Sequence, residues 1–261
     1  MARVIAIASG KGGAGKTTVT ANLGICLSRI GKKVLLIDAD IAMANLSLIL
    51  DMKTSPMTLH DVLLGEVRPN DAIYDGPEGI HFIPSGLSLD NYKRVDSERL
   101  SSVISELNSD YDFILLDAAA GIEKNVLSAL SASNETLLVV MPTSPSIADA
   151  LKTKLVAQKL GSKVIGFVLN FVLNEKGEIT GQEISNMLEL PCYGALSSDE
   201  EIRRSFMLQH PLPISVRKKD SKATKEFEKI ASRLTGLKIE EKAVVKKGFF
   251  SRLLGKLRFK K

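Results

Sequence analysis

Residues 5–18 read IAIASGKGGAGKTT. A short apolar run ends at Ser9 and Gly10, a glycine-rich turn follows, and a helix-compatible pattern opens at Lys16. Gly10 to Thr17 fits G-x-x-x-x-G-K-[ST] between a strand and a helix, the context in which that spacing has mechanical meaning. Glycines let successive backbone N–H groups turn inward on phosphate oxygens, and the positive end of the following helix adds attraction. Lys16 is placed to reach the β- and γ-phosphates, and the Thr17 hydroxyl to ligate Mg²⁺. The stretch therefore predicts a nucleotide site built from Gly10, Lys11, Gly12, Gly13, Ala14, Gly15, Lys16, Thr17 and Thr18. One lysine suffices to grip a phosphate, so Lys11 needs a separate explanation.

Working outward, short apolar runs alternate with longer amphipathic ones. Strands are predicted at 3–8, 33–38, 80–84, 113–117, 136–141, 163–170 and 193–197, several of them apolar throughout, as suits a sheet buried on both faces. Helices are predicted at 16–30, 96–108, 123–132, 146–160, 181–188, 199–208 and 221–235, with YDGPEG at 74–79 read as a turn. This alternation predicts an α/β fold: a doubly wound, mostly parallel sheet flanked by helices, with ligands at the carboxyl ends of the strands.

Two predicted strands end in acid. FILLD places Asp117 at a strand end, where a carboxylate can reach Mg²⁺ through water. VLLIDAD does the same with Asp38, and Asp40 follows in a loop, within reach of a water in line with the γ-phosphate. Asn170 closes the strand VIGFVLN. Its amide offers a donor and an acceptor that complement the edge of adenine.

SGKGGAGKTT resembles the deviant phosphate loop of the MinD/ParA ATPases, whose second residue is a lysine, here Lys11. LIDADIAMANLSLIL, YDFILLDAAAGIEKNVL and ALKTKLVAQKLGSKVIGFVLN are similar to the MinD branch, most of all its archaeal members. The resemblance covers roughly 1–235 and implies a P-loop NTPase fold and an ATP-dependent homodimer using ATP and Mg²⁺. It implies that Lys11 crosses to the partner's nucleotide and that Asp40 positions the attacking water. It also implies that Asn45 sits beside Asp40 in the first switch, that Asp117 opens the second switch, and that Asn170 contacts the base. Lys11, Lys16 and Asp40 are thus the catalytic candidates, and Thr17, Asp38 and Asp117 the Mg²⁺ candidates. Three positions depart from the family pattern: Ala119 stands where proline is common in the second switch, Ser197 where proline is common over adenine, and Phe171 where a basic residue often follows the asparagine.

Charge separates the chain into body and tail. Residues 246–261 hold seven Lys/Arg and no acid; removing that charge from the net +5 leaves −2 for residues 1–245. A body of that charge does not promise a nucleic-acid footprint, and no specific nucleic acid is expected as partner. The chain divides into an ATPase domain at 1–236, a linker at 237–247 and a basic amphipathic helix at 248–261. Wound as a helix, Phe249, Phe250, Leu253, Leu254 and Leu257 fall within an arc of about 140°. Arg252 lies outside that arc and Lys256 flanks it. Phenylalanines on one face and cations around it suit a helix lying in a membrane interface, and the stretch resembles the membrane-targeting helix of MinD proteins.

Cys26 and Cys192 are far apart, and His60, His81 and His210 are scattered, so neither type suggests a metal centre or a disulfide framework. There is no secretory signal, and no apolar run approaches a membrane span. The expected protein is cytoplasmic and peripheral on the inner face of the membrane when ATP-bound. It would be a slow, switch-type ATPase that positions division or surface machinery with a protein effector. Two other placements use the same motifs: a ParA-like DNA-segregation ATPase and a flagellar-placement ATPase.

Overall fold

The computed structural model describes residues 1–41, 43–52, 55–86, 97–121 and 123–237. The predicted linker (237–247), beyond Leu237, and the tail helix (248–261), with Phe249, Phe250, Arg252, Leu253, Leu254, Lys256 and Leu257, lie outside the described residues.

In chain order the strands are β1 (Arg3–Ser9), β2 (Val34–Asp38), β3 (Tyr74–Asp75), β4 (His81–Ile83), β5 (Phe113–Ala120), β6 (Glu135–Val140), β7 (Lys163–Val172) and β8 (Cys192–Ser197). They form one sheet in the order β3-β4-β2-β5-β1-β6-β7-β8, parallel throughout except for the β3–β4 pair. The helices are α1 (Lys16–Arg29), α2 (Leu46–Ile49), α3 (Leu59–Leu64), α4 (Leu100–Leu107), α5 (Lys124–Ser131), α6 (Ser144–Lys159), α7 (Gly181–Leu188), α8 (Glu200–Ser205), α9 (Ile214–Arg217) and α10 (Lys222–Thr235).

Strand geometry sends successive side chains to opposite faces, and the apolar runs use both. Val4, Ala6 and Ala8 of β1 join Leu35, Ile37, Ile114, Leu116 and Phe167 in one core, capped by α3–α7. Ile5 and Ile7 join Leu36, Leu115, Val139 and Val168 in the other, covered by α1, α2, α9 and α10. Two buried faces explain why these strands carry no polar alternation. Burying each Leu, Ile, Val or Phe contributes about 1.5–3 kcal/mol, which is how five central parallel strands outweigh the cost of their long crossovers.

β1 is the pivot. After it the chain runs to β2, β4 and then β5 on one side, and afterwards to β6, β7 and β8 on the other. A crevice opens where the winding reverses, at the carboxyl end of β1.

The predicted strands are all present, with two differences. β3 occupies the stretch read as a turn: two residues pair back antiparallel on β4, too few to leave a period in the sequence. β5 continues to Ala120 rather than ending at Asp117, because three small alanines let the strand run beside Ser9 after a register shift. Short α2, α3 and α9 were not predicted; each is only one or two turns long.

Candidate nucleotide site

The loop from Gly10 to Gly15 joins β1 to α1, and its conformation is dictated by two glycines. Gly13 and Gly15 have φ of 75° and 95°, the left-handed region that side chains resist. Gly15 is excluded from substitution a second time, because an added Cβ would sit 2.2 Å from the Asn170 side-chain nitrogen. Gly10 is pinned differently: a Cβ there would meet the Asp149 backbone of α6 at 2.6 Å. The start of α1 is left with backbone N–H groups for an anion.

Lys16 is 8% exposed, and its Nζ donates to Ser9 Oγ at 3.1 Å. The same hydroxyl donates to the Lys11 carbonyl at 2.7 Å. Ser9, which the sequence reading did not single out, therefore holds the phosphate lysine with one lone pair and the loop backbone with its proton. Burial pulls the Lys16 ammonium below its usual range, and the nearby Asp117 and Asp40 carboxylates oppose that shift. Lys11 is exposed.

The acids gather opposite. Asp38 and Asp117 face each other across the β2–β5 pairing, both buried. Asp117 accepts from Thr20 Oγ1 at 3.0 Å, and the Thr17 hydroxyl also bonds it. Burial drives its carboxyl up to about 6, against those two hydroxyls and Lys16, which pull it down. Burial pushes the Asp38 carboxyl well above the usual carboxylate range too, and the neighbouring Asp117 charge adds to it. Asp38 also has structural work: it accepts from the Leu46 N–H at 3.0 Å and the Asp40 N–H at 3.3 Å, stapling the loop between β2 and α2. Asp40 accepts from the Met43 N–H at 3.0 Å, and Asn45, exposed, donates its amide to the Met43 carbonyl at 2.8 Å.

These groups surround a cavity of about 550 Å³. The predicted Gly12, Gly13, Gly15, Lys16, Thr17, Thr18, Asp40 and Asn45 line it, as do the unforeseen Met43, Leu48 and Phe206. From the end of β7 the lining residue is Phe171. Asn170 is buried beneath the loop and donates its amide to the Ala14 carbonyl at 2.8 Å. Of the departures, Ala119 lies within β5 and Ser197 ends β8, accepting from the Asn174 amide. Phe171 alone of the three borders the cavity.

The residues fit Mg²⁺ held on a nucleotide. Among the described residues no cluster of three or more His, Cys, Asp or Glu side chains could cage an ion. Magnesium on a P-loop needs few protein ligands, because phosphates and waters supply the rest. The Thr17 hydroxyl is at hand, and two buried, mutually repelling carboxylates call for positive charge nearby.

A family model described as an AAA domain matches residues 2–156. An uncharacterized ATP-binding protein of Methanocaldococcus jannaschii is 42% identical over 96% of this chain and 94% of its own length. The septum site-determining protein MinD of Thermotoga maritima is 31% identical, covering 90% of this chain and 89% of that one. The chain belongs to the MinD/ParA family of ATPases. Its structure agrees: the septum site-determining protein MinD of Pyrococcus horikoshii, complexed with Mg-ADP, superposes with a TM-score of 0.85 at 36% identity, covering 90% of this chain and 96% of that one. As a MinD/ParA ATPase of archaeal type that uses ATP and Mg²⁺, the chain carries its candidate phosphate loop at the end of β1, where the fold opens its crevice. Among the described residues no helix is long and apolar enough to cross a membrane.

Proposed function

We propose that this ATPase is a MinD-like membrane switch: ATP and Mg²⁺ build a homodimer, the dimer grips an anionic membrane through residues 248–261, and hydrolysis releases it. Held there, it marks a place for division or surface machinery and recruits a protein effector; released, it is cytoplasmic.

The observation that carries this reading is the unlike treatment of the two loop lysines. Lys16 is buried and bonded to Ser9, committed to its own cradle, while Lys11 is exposed with its carbonyl pinned. An exposed cation beside a phosphate loop is available to a second copy. There it would neutralise charge on the transferring phosphoryl group, as an arginine finger does. Thr17 would hold Mg²⁺, with Asp38 and Asp117 acting through water, and the ion would supply positive charge against the phosphates. Asp40, lining the cavity, orients the attacking water. A slow, timer-like rate suits such a switch.

The tail reading rests on sequence. Each basic residue near an anionic leaflet contributes roughly 1 kcal/mol at best, and a short helix loses a comparable sum in ordering. One tail binds weakly and reversibly; two on a dimer gain about 10² or more by avidity. Dimerisation alone then switches membrane binding.

The test is sedimentation with anionic liposomes, full chain beside a chain lacking 248–261. The full chain should pellet with Mg-ATP and stay in solution with Mg-ADP. The shortened chain should remain soluble while still dimerising with ATP. Lys11→Ala should abolish ATP-linked dimerisation and slow hydrolysis by about 10³. Binding of random DNA in place of vesicles would overturn the membrane reading in favour of a DNA-segregation role.

A further inference from the structure

The cavity changes character along its length. Next to the phosphate loop it is lined by glycine backbone, Lys16 and threonine hydroxyls; at its mouth stand Phe171, Phe206 and Pro211. Phe171 and Phe206 are 43% and 47% exposed, so both rings are open to a ligand.

Phe171 is placed there by a defect in the strand. Pairing of β7 with β8 shifts register between Leu169 and Val172, and within that irregularity Phe171 adopts φ of 59°. A bulky residue in the left-handed region is strained and persists only where its surroundings impose it. Such irregularities re-aim side chains beside functional sites. Here Asn170 turns under the loop to bond Ala14, while the Phe171 ring reaches the loop, with Cε2 3.8 Å from the position a Gly15 Cβ would take. One of the two N–H donors of the asparagine amide, which the sequence suggests for the base edge, is thus given to the loop.

We propose that Phe171 is the stacking platform for the nucleotide base, with Phe206 as a second aromatic wall at the mouth. The inference rests on the nucleotide reading of the site. A ligand whose phosphates lie on Lys16 and whose other end is a flat aromatic ring matches both ends of one cavity, and the volume is of the size that holds such a molecule. Stacking accepts any base face and does not require hydrogen bonds to the base edge. The site therefore replaces the family's basic residue after the asparagine with an aromatic surface.

Calorimetry on the full chain with Mg-ADP, and with Mg-tripolyphosphate as a probe that has phosphates and no base, tests this. Phe171→Ala should weaken Mg-ADP binding about tenfold or more and leave tripolyphosphate affinity unchanged; Phe171→Tyr should restore the nucleotide. The chain contains no tryptophan, so Phe171→Trp supplies a single emitter, whose fluorescence should be quenched by Mg-ADP and not by Mg-tripolyphosphate. Unchanged ADP affinity in Phe171→Ala, or an equal loss for tripolyphosphate, would overturn the stacking role. A wild-type chain that binds neither probe would overturn the nucleotide site itself, and the stacking with it.

Discussion

At the phosphate end of the cavity Lys16 is 8% exposed and bonded to Ser9, and Asp117 is bonded to Thr20, whereas at the mouth Phe171 and Phe206 stand nearly half exposed. The first region is fixed by backbone: left-handed glycines, a helix start and two buried acids admit few other residues. The second is set by half-exposed side chains near the end of β7 and just after α8, where substitution costs little stability. The phosphate end can therefore stay constant while the mouth varies, and selectivity for what lies beyond the phosphates can drift without disturbing the machinery that handles them.

The largest break in that comparison should come from Lys16→Ala. Removing a preorganised charge aimed at the phosphates should lower the ATP hydrolysis rate by about 10²–10³, read as phosphate release under saturating Mg-ATP. A rate within a few-fold of wild type would mean that the buried lysine is structural.

Asp117→Asn should show that the phosphate end is tuned for charge rather than stability. The Asp117 carboxyl is raised to about 6 in the fold. Its contribution to stability is thus present below the ordinary value near 4 and lost as pH climbs through 6. At pH 7, without metal or nucleotide, the asparagine variant should be more stable by about 1–3 kcal/mol, and the gap should close as pH falls toward 4. Added Mg-ATP should raise the melting temperature of the wild type much more than that of the variant. Paired thermal melts across pH check both signs.

Ser9→Ala is the smallest expected change and the sharpest probe of the loop. It removes the acceptor for Lys16 and the donor to the Lys11 carbonyl. One or two hydrogen bonds of about 1 kcal/mol predict a several-fold loss of ATP affinity, measured by titration, with the fold intact by circular dichroism.

How much of this could be read from the chain follows the same division. The phosphate loop was legible because backbone demands select glycine, lysine and threonine at fixed spacing. Asp38 and Asp117 were legible as acids closing apolar runs, yet the length of β5 was not, since three alanines are neutral between strand and loop. Ser9 sat in view without notice: a serine is ordinary before a turn, and its two bonds exist only once the loop is folded. Asn170 is legible as a polar strand end, but its bond to the Ala14 carbonyl, next to a register shift of β7 on β8, is encoded by no local pattern. Phe206 follows the short α8 and reaches the cavity only through tertiary placement.

The extension of β5 past Asp117 has a mechanical consequence. Ala120 pairs with Ser9, and the Gly121 N–H reaches the Ser9 carbonyl at 3.3 Å. The segment that follows Asp117 is thereby stitched to the root of the phosphate loop, and the stitch falls on the residue that bonds Lys16 and the Lys11 carbonyl. A tug on one thread is felt along the other with no slack between them. A shift of the backbone after Asp117 would therefore reach the carbonyl of Lys11 through Ser9 in the same motion.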